Sequence, residues 1–497
     1  MKSANSFALP KPKTNIALPA NDAIPTDLLI GDGWREGSGP RIPVLNPANG
    51  EVITTISNAS LEDAMAAVDA AEKAAAGWAA TPSRQRAETL RRCYDKMIAN
   101  ADWLAHLISL EMGKALSDSK GEVLYAAEFF RWYAEETPRI IGELQTSPGG
   151  NNRIMVEYQP IGISLLITPW NFPAAMATRK IAPALGAGCT IILKPAIETP
   201  LTAFAVAQIM LDAGVPPGVV NVITPQDPGP ICAAIMHDPR VRKLSFTGST
   251  AVGRTLLRTA ADTVLSCSME LGGNAPFLVL GDANVDEAVE GAMIAKTRNG
   301  GQACTAANRF YVQKSVLKEF TEKFTARMAA LKQGDGTDPD TQLGPVITEK
   351  QAGKIAGLVD GAVKQGAKLA LGGKRSGSKG YFYPATVLTE VPAGATILKD
   401  EIFGPVAPII VFDTEEEAIR LSNDTEYGLS AYLYTKDLKK ALKIAEKLEY
   451  GMVAINRGLV SDTAAPFGGS KQSGLGREGS HHGLIEFTEC KYIAVTW

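Results

Sequence analysis

The chain has 497 residues, too many for one hydrophobic core, with the 45% apolar and 21% charged content usual for globular proteins. Its 50 Lys and Arg against 53 Asp and Glu leave a net charge of −3, which gives no general reason to bind nucleic acid or an anionic membrane. Six scattered cysteines, no C-x-x-C pair and four histidines argue against a metal site such as zinc and suit a reduced, cytoplasmic setting.

Residues 1–27 read as an extended Pro- and Ala-containing tail without the continuous apolar segment of a signal peptide. No apolar run is long enough to span a membrane. Regular structure is expected from Leu28. Ser60, followed three residues later by Asp63, opens an Ala-rich helix with a capping box. The spacing of Leu90, Tyr94, Met97, Trp103 and Leu107 predicts a helical run from Ser83 to Met112, and a further helix covers Asp118 to Glu136.

The texture then changes. "RIMVEYQPIGISLLIT" reads as two strands joined by a turn at Pro160 and Gly162. Apolar strands such as "TIILKP", "VVNVIT" and "VRKLSFTG" alternate with helices, the pattern of a parallel sheet covered on both faces. A second alternating series begins after "ELGGNAPFLVL", so an α/β protein of two domains meeting at a cleft near Glu270 is expected. The closing "EFTECKYIAVTW" reads as a strand in need of a partner.

Four stretches carry chemistry, each with a plainer alternative. "GSTAVGRT" nearly fits the phosphate-binding G-x-x-x-x-G-K-[ST] loop, but Arg254 stands where lysine belongs. A P-loop nucleotide-binding enzyme is thus one reading. A helix N-terminus that takes a pyrophosphate is another, and a structural turn a third. Glu270 in "SMELGG" lies in apolar surroundings that raise a carboxyl pKa toward that of a useful base, or it pairs with a lysine. Asn171 in "PWNFP" sits on a stiff loop from which its amide can donate to an oxyanion, or it is a turn asparagine. Cys304 in "RNGGQACTAANR" follows a glycine pair that releases the chain into a loop. It is either a nucleophile or a small core residue.

Taken together, "PWNFP", "FTGST", "ELGG", "GGQAC" and "EIFGP", in that order and spacing, resemble the NAD(P)-dependent aldehyde dehydrogenase superfamily from about Leu28 to Trp497. "PFGGSKQSGLGREGS" is similar to its succinate-semialdehyde dehydrogenase branch. The resemblance implies an aldehyde dehydrogenase-like fold with two parallel-sheet α/β domains and a β oligomerisation arm. A dinucleotide-binding domain would occupy 28–139 and 160–269, and a catalytic domain 270–480. The arm would comprise 140–159 and 481–497 and pair between subunits of a homodimer or homotetramer.

The resemblance also implies roles. Cys304 would attack the aldehyde to give a thiohemiacetal and then a thioester, Asn171 would stabilise the oxyanion, and Glu270 would be the base. NADP or NAD would lie against Trp170, Lys194, Ile197, Gly248, Ser249, Leu271, Glu401 and Phe403. Ile197 replaces a glutamate that in NAD-preferring members repels a 2′-phosphate, with Glu198 next door as a partial substitute, so NADP is expected to be accepted and the preference between NADP and NAD stays open. Arg179, Arg298 and Ser461 would hold the far carboxylate of a small aldehyde, succinate semialdehyde before glutarate semialdehyde. Ala306 stands where many members carry a second cysteine, so no redox disulfide is expected at Cys304. Arg457 replaces a small or neutral residue near the substrate entrance.

Overall fold

The computed structural model describes residues 5–10, 23–375, 377 and 379–496. Its larger sheet has eight strands, and the middle of it is parallel. Ser266–Glu270, Val241–Thr247, Ile163–Ile167, Ile191–Lys194 and Val220–Val222 lie side by side. Antiparallel Leu28–Ile30 and Gly33–Arg35 close one edge, and Gly474–Leu475 the other. Neighbouring residues within a strand feed opposite cores. Leu165 and Ile192 pack with Val68, Ile235 and Leu244, whereas Leu166, Ile191 and Leu193 pack with Phe130, Ile181 and Phe204. Burial on both faces explains why these strands are unbroken apolar runs rather than alternating ones.

The second sheet runs Lys368–Leu371, Thr386–Thr389, Val406–Phe412, Ala307–Gln313, Ala275–Val279, Ser430–Tyr434 and Met452–Ile455, parallel except for the first pair. The chain leaves the first sheet at Glu270 and enters the second at Ala275. A methyl group on Gly273, inside that crossing, would lie 2.4 Å from the Cys304 carbonyl oxygen, so the crossing and the cysteine loop touch backbone to backbone.

The capping box is present: the Ser60 side chain accepts from the Asp63 amide, and Asp63 accepts from Ser60, at the start of helix Leu61–Ala80. Elsewhere the structure corrects the sequence expectation. The run from Ser83 to Met112 is two helices, Ser83–Ala99 and Ala101–Met112. They break at Asn100, whose side-chain amide donates to the Lys96 carbonyl. Order also precedes Leu28, because Ser6–Ala8 pairs with Ala23–Pro25 and the Asn5 amide donates to Asp27. Residues 1–4 and 11–22 of the expected tail lie outside the described residues. The C-terminal strand Thr488–Val495 finds its partner within its own chain, pairing antiparallel with Arg153–Pro160, which also pairs with Glu143–Thr146.

Candidate active site

Four segments meet where the two sheets face each other. Strand Ile163–Ile167 ends in the Trp170–Asn171–Phe172 loop, and Pro173 then opens helix Pro173–Ala187 at a position where its missing N–H costs nothing. Glu270 ends its strand in the same sheet. From the other sheet, helix Val285–Thr297 is capped by Asn284 and gives way to Asn299, Gly300 and Gly301, all with left-handed φ of 55°, 59° and 75°. That turn delivers Cys304. A side chain at Gly301 would lie 2.2 Å from the Gly404 carbonyl oxygen, which makes glycine obligatory there. The Gly404 loop is the fourth segment and brings Glu401 and Phe403.

Cys304, Asn171, Trp170, Gly248, Ser249, Leu271, Glu401 and Phe403 line one cavity of about 200 Å³. Trp170 and Phe403 meet edge to face at 5.4 Å. Helix Thr250–Ala261, capped by Ser249, turns its N-terminal end to this cavity through Gly248 and Ser249. The other two residues expected at the dinucleotide are not among its lining. Lys194 ends strand Ile191–Lys194, buried, with its pKa lowered by burial. Ile197 packs against the core of the larger sheet. Arg254 of the phosphate-loop-like motif pairs with Glu426 at 2.8 Å on the surface.

Burial sets the electrostatics of the reactive groups. The half-buried Cys304 thiol is pushed up to about 12 by desolvation, with the Glu401 and Glu270 charges adding to the rise and Arg179 and Arg298 opposing it. Glu270 is held well above the usual carboxylate range, first by burial and then by the charge of Glu478. Neither of its carboxylate oxygens has a hydrogen-bond partner among the described residues. A thiol that keeps its proton therefore lies within electrostatic reach of a buried carboxyl group whose affinity for a proton is raised. Asn171 donates one amide N–H to the Gln302 carbonyl at 3.0 Å, which orients the group and leaves its second N–H available.

A second pocket of about 220 Å³ lies on the other side of the Asn171 loop. Arg298, Ser461, Phe172, Tyr125, Asp118 and Glu122 line it. The Arg298 guanidinium sits 4.8 Å over the Phe172 ring. Arg179 stands behind this pocket and not in its lining. It is buried, donates to the Tyr125 hydroxyl at 2.7 Å, lies 3.4 Å from Glu478 and covers the Phe467 ring. Arg457 faces a different cavity, which shares only Leu459 with the Arg298 pocket. Sequence reasoning missed buried Lys114, Glu122 and Asn299 and half-buried Asp118, polar groups beside the Asn171 loop. The only available signal was the four-residue spacing from Lys114 to Asp118 to Glu122.

A loop-borne cysteine, a buried glutamate without a hydrogen-bond partner and an oriented asparagine amide are thus brought together at the junction of two parallel sheets. The chain belongs to the aldehyde dehydrogenase family, whose model matches residues 34–493, and it is an NAD(P)-dependent aldehyde-oxidising enzyme. It is 54% identical over 444 residues to a succinate-semialdehyde dehydrogenase of Paenarthrobacter nicotinovorans, covering 89% of this chain and 99% of that one. It is 47% identical over 467 residues to a glutarate-semialdehyde dehydrogenase of Pseudomonas aeruginosa, covering 94% of this chain and 96% of that one. Its fold matches the crystal structure of an E. coli NADP dependent enzyme with a TM-score of 0.94 at 45% identity, covering 95% of this chain and 98% of the other.

Proposed function

We propose that the enzyme oxidises a short aldehyde with an ω-carboxylate, succinate semialdehyde first and glutarate semialdehyde second. One observation carries the reading: a pocket bearing the Arg298 guanidinium and Ser461 adjoins the cavity of Cys304 and Asn171, separated from it by a single loop. An arginine fork suits a carboxylate, and a charge-assisted bond outweighs a neutral one. Arg179, tied to Tyr125 and Glu478, supports the pocket from behind through Tyr125. The named activities of both relatives agree with this substrate class.

Glu270 takes the proton of the Cys304 thiol, a step the raised thiol pKa makes necessary. The sulfur then bonds to the aldehyde carbon, and the carbonyl oxygen becomes an oxyanion that the free Asn171 N–H and the Cys304 backbone N–H receive. A bound NAD(P) supplies a hydride acceptor. Loss of the hydride would leave a thioester on Cys304, and Glu270, once it has passed the thiol proton to solvent, takes a proton from the water whose attack frees the acid and the thiolate.

The residues present fit a dinucleotide. The helix end at Gly248 and Ser249 suits a pyrophosphate, and Trp170, Leu271, Glu401 and Phe403 suit the ring and ribose that follow. Ile197 brings no carboxylate, the charge of the adjacent Glu198 acts on Lys194, and the E. coli structure is that of an NADP dependent enzyme, so NADP is expected to be accepted beside NAD. We read the larger sheet as the cofactor-binding domain, the second as the catalytic domain and the three-stranded sheet as an arm for a homodimer or homotetramer. The arm exposes Ile141, Leu144 and Tyr492. No described helix is long and apolar enough to cross a membrane, and a cytoplasmic setting is proposed.

Reduced-cofactor absorbance with succinate semialdehyde, glutarate semialdehyde and an uncharged aldehyde of similar length tests the reading, each with NAD and with NADP. The carboxylated aldehydes should lead in kcat/KM by about tenfold or more, and Cys304→Ala should be silent. Equal turnover of the uncharged aldehyde would refute the substrate assignment, and no turnover with NADP would refute the cofactor assignment.

A further inference from the structure

Asn299 is fully buried and holds a left-handed φ of 55°, which few residues other than glycine and asparagine adopt at small cost. Its side-chain amide donates to two carbonyl oxygens on different segments, Asn171 at 2.8 Å and Gln302 at 2.9 Å. Its own backbone N–H donates to Asp118 at 2.8 Å. The Asn171 carbonyl also receives Lys114 at 2.7 Å, and Lys114 is paired with Glu122. The other Glu122 oxygen accepts the amides of Ala174 and Ala175 at the start of helix Pro173–Ala187. The Gln302 carbonyl is in turn the acceptor that orients the Asn171 side-chain amide.

Two loops from two different sheets are thus joined through the Asn299 side chain as well as through the Asn171 amide itself. Gln302 lies two residues before Cys304, and Asn171 carries the amide aimed at the same cavity. Asparagine meets both demands of the position, tolerance of the left-handed backbone and two N–H donors on one planar group. A residue needed only to fill space would require neither.

We propose that Asn299 is a positioning residue. Its amide bolts the Asn171 loop to the Gln302–Cys304 segment, so that the Cys304 sulfur and the free Asn171 N–H converge on one oxyanion. Asp118 fixes the backbone of the bolt, and the Lys114–Glu122 pair fixes the loop it engages. The proposal rests on the reading of Cys304 as nucleophile and Asn171 as oxyanion donor.

The test is a double-mutant cycle between Asn299→Gly, which keeps the left-handed backbone and removes both donors, and Asn171→Ala. Asn299→Asp, which keeps the shape and also removes the donors, serves where the glycine variant does not fold. Asn299→Gly should lower kcat by about ten- to a hundredfold with KM for the aldehyde little changed, because a misplaced donor is felt in the transition state. In the Asn171→Ala background the same substitution should cost less than about threefold, since the donor it positions is already gone. Equal fold losses in both backgrounds would mean a merely structural role and would overturn the proposal. A normal kcat for Asn299→Gly beside a slow Asn171→Ala would overturn the bolt alone. A normal kcat for Asn171→Ala would overturn the oxyanion reading and the bolt with it.

Discussion

The Asn171 loop separates two cavities of nearly equal size and opposite chemistry. On the Trp170 side, about 200 Å³ is lined by aromatic rings, glycines and the cysteine. Carboxylates there have few partners, so burial holds Glu401 up to about 7. On the Phe172 side, about 220 Å³ is lined by Arg298, Asp118 and Glu122, and the two carboxylates are paired or hydrogen-bonded while Arg298 lies over the Phe172 ring. The contrast assigns the work. Desolvation keeps the thiol of the first cavity protonated and raises the proton affinity of Glu270, which lies outside that cavity's lining and is the base of the proposed mechanism. Fixed charge in the second is what the proposed function uses to sort aldehydes by their far end. Trp170 and Phe172, one on each side of Asn171, place the proposed oxyanion donor at the boundary.

Changing a carboxylate should therefore act differently in each region. The largest effect is expected at Glu270. Glu270→Gln removes the base and should lower kcat by about 10²–10⁴. Because its pKa is raised, the wild-type enzyme should lose kcat/KM as pH falls through a value well above 4.5, and the variant should lack that limb. A pH profile of both enzymes checks this, and an unchanged acid limb in the variant would refute Glu270 as its source.

Stability gives a smaller and signed comparison. Glu122→Gln leaves Lys114 buried without its counter-charge and should cost about 3 kcal/mol in urea unfolding. Glu401→Gln should do the reverse. Its folded pKa of about 7 lies above the ordinary 4.5, so the ionised form is the disfavoured one. That cost is absent below pH 4.5, grows as pH rises and is complete above about pH 7. The glutamine variant should thus gain stability at neutral and higher pH, by about 1–3 kcal/mol, and gain none in acid. Losses of equal size in both variants would erase the distinction between the cavities.

The sequence made the loops of the candidate site legible because their requirements are local. A glycine pair before Cys304 announces a backbone turn that side chains resist, and prolines on both sides of Asn171 announce a stiff loop. The strands of the two sheets show as apolar runs for the same kind of reason. Partner choice has no local signature. Lys114 meets the Asn171 carbonyl across 57 residues, and Asp118 meets the Asn299 amide across 181. The pairing of Arg179 with Tyr125 and Glu478 is likewise set by tertiary packing, so the sequence could offer Arg179 and Arg298 as a matched pair when only Arg298 lines the pocket. Asn100 shows a third case, in which helical spacing continues through a break made by one residue's backbone.

The central claim is that the Phe172-side pocket selects the substrate's far carboxylate through Arg298. Kinetics of Arg298→Ala with succinate semialdehyde and with an uncharged aldehyde of the same length test it most directly. The account predicts that KM for succinate semialdehyde rises at least about tenfold, the worth of a charge-assisted bond, while the uncharged aldehyde is little affected. An equal effect on both aldehydes, or none on either, would contradict it.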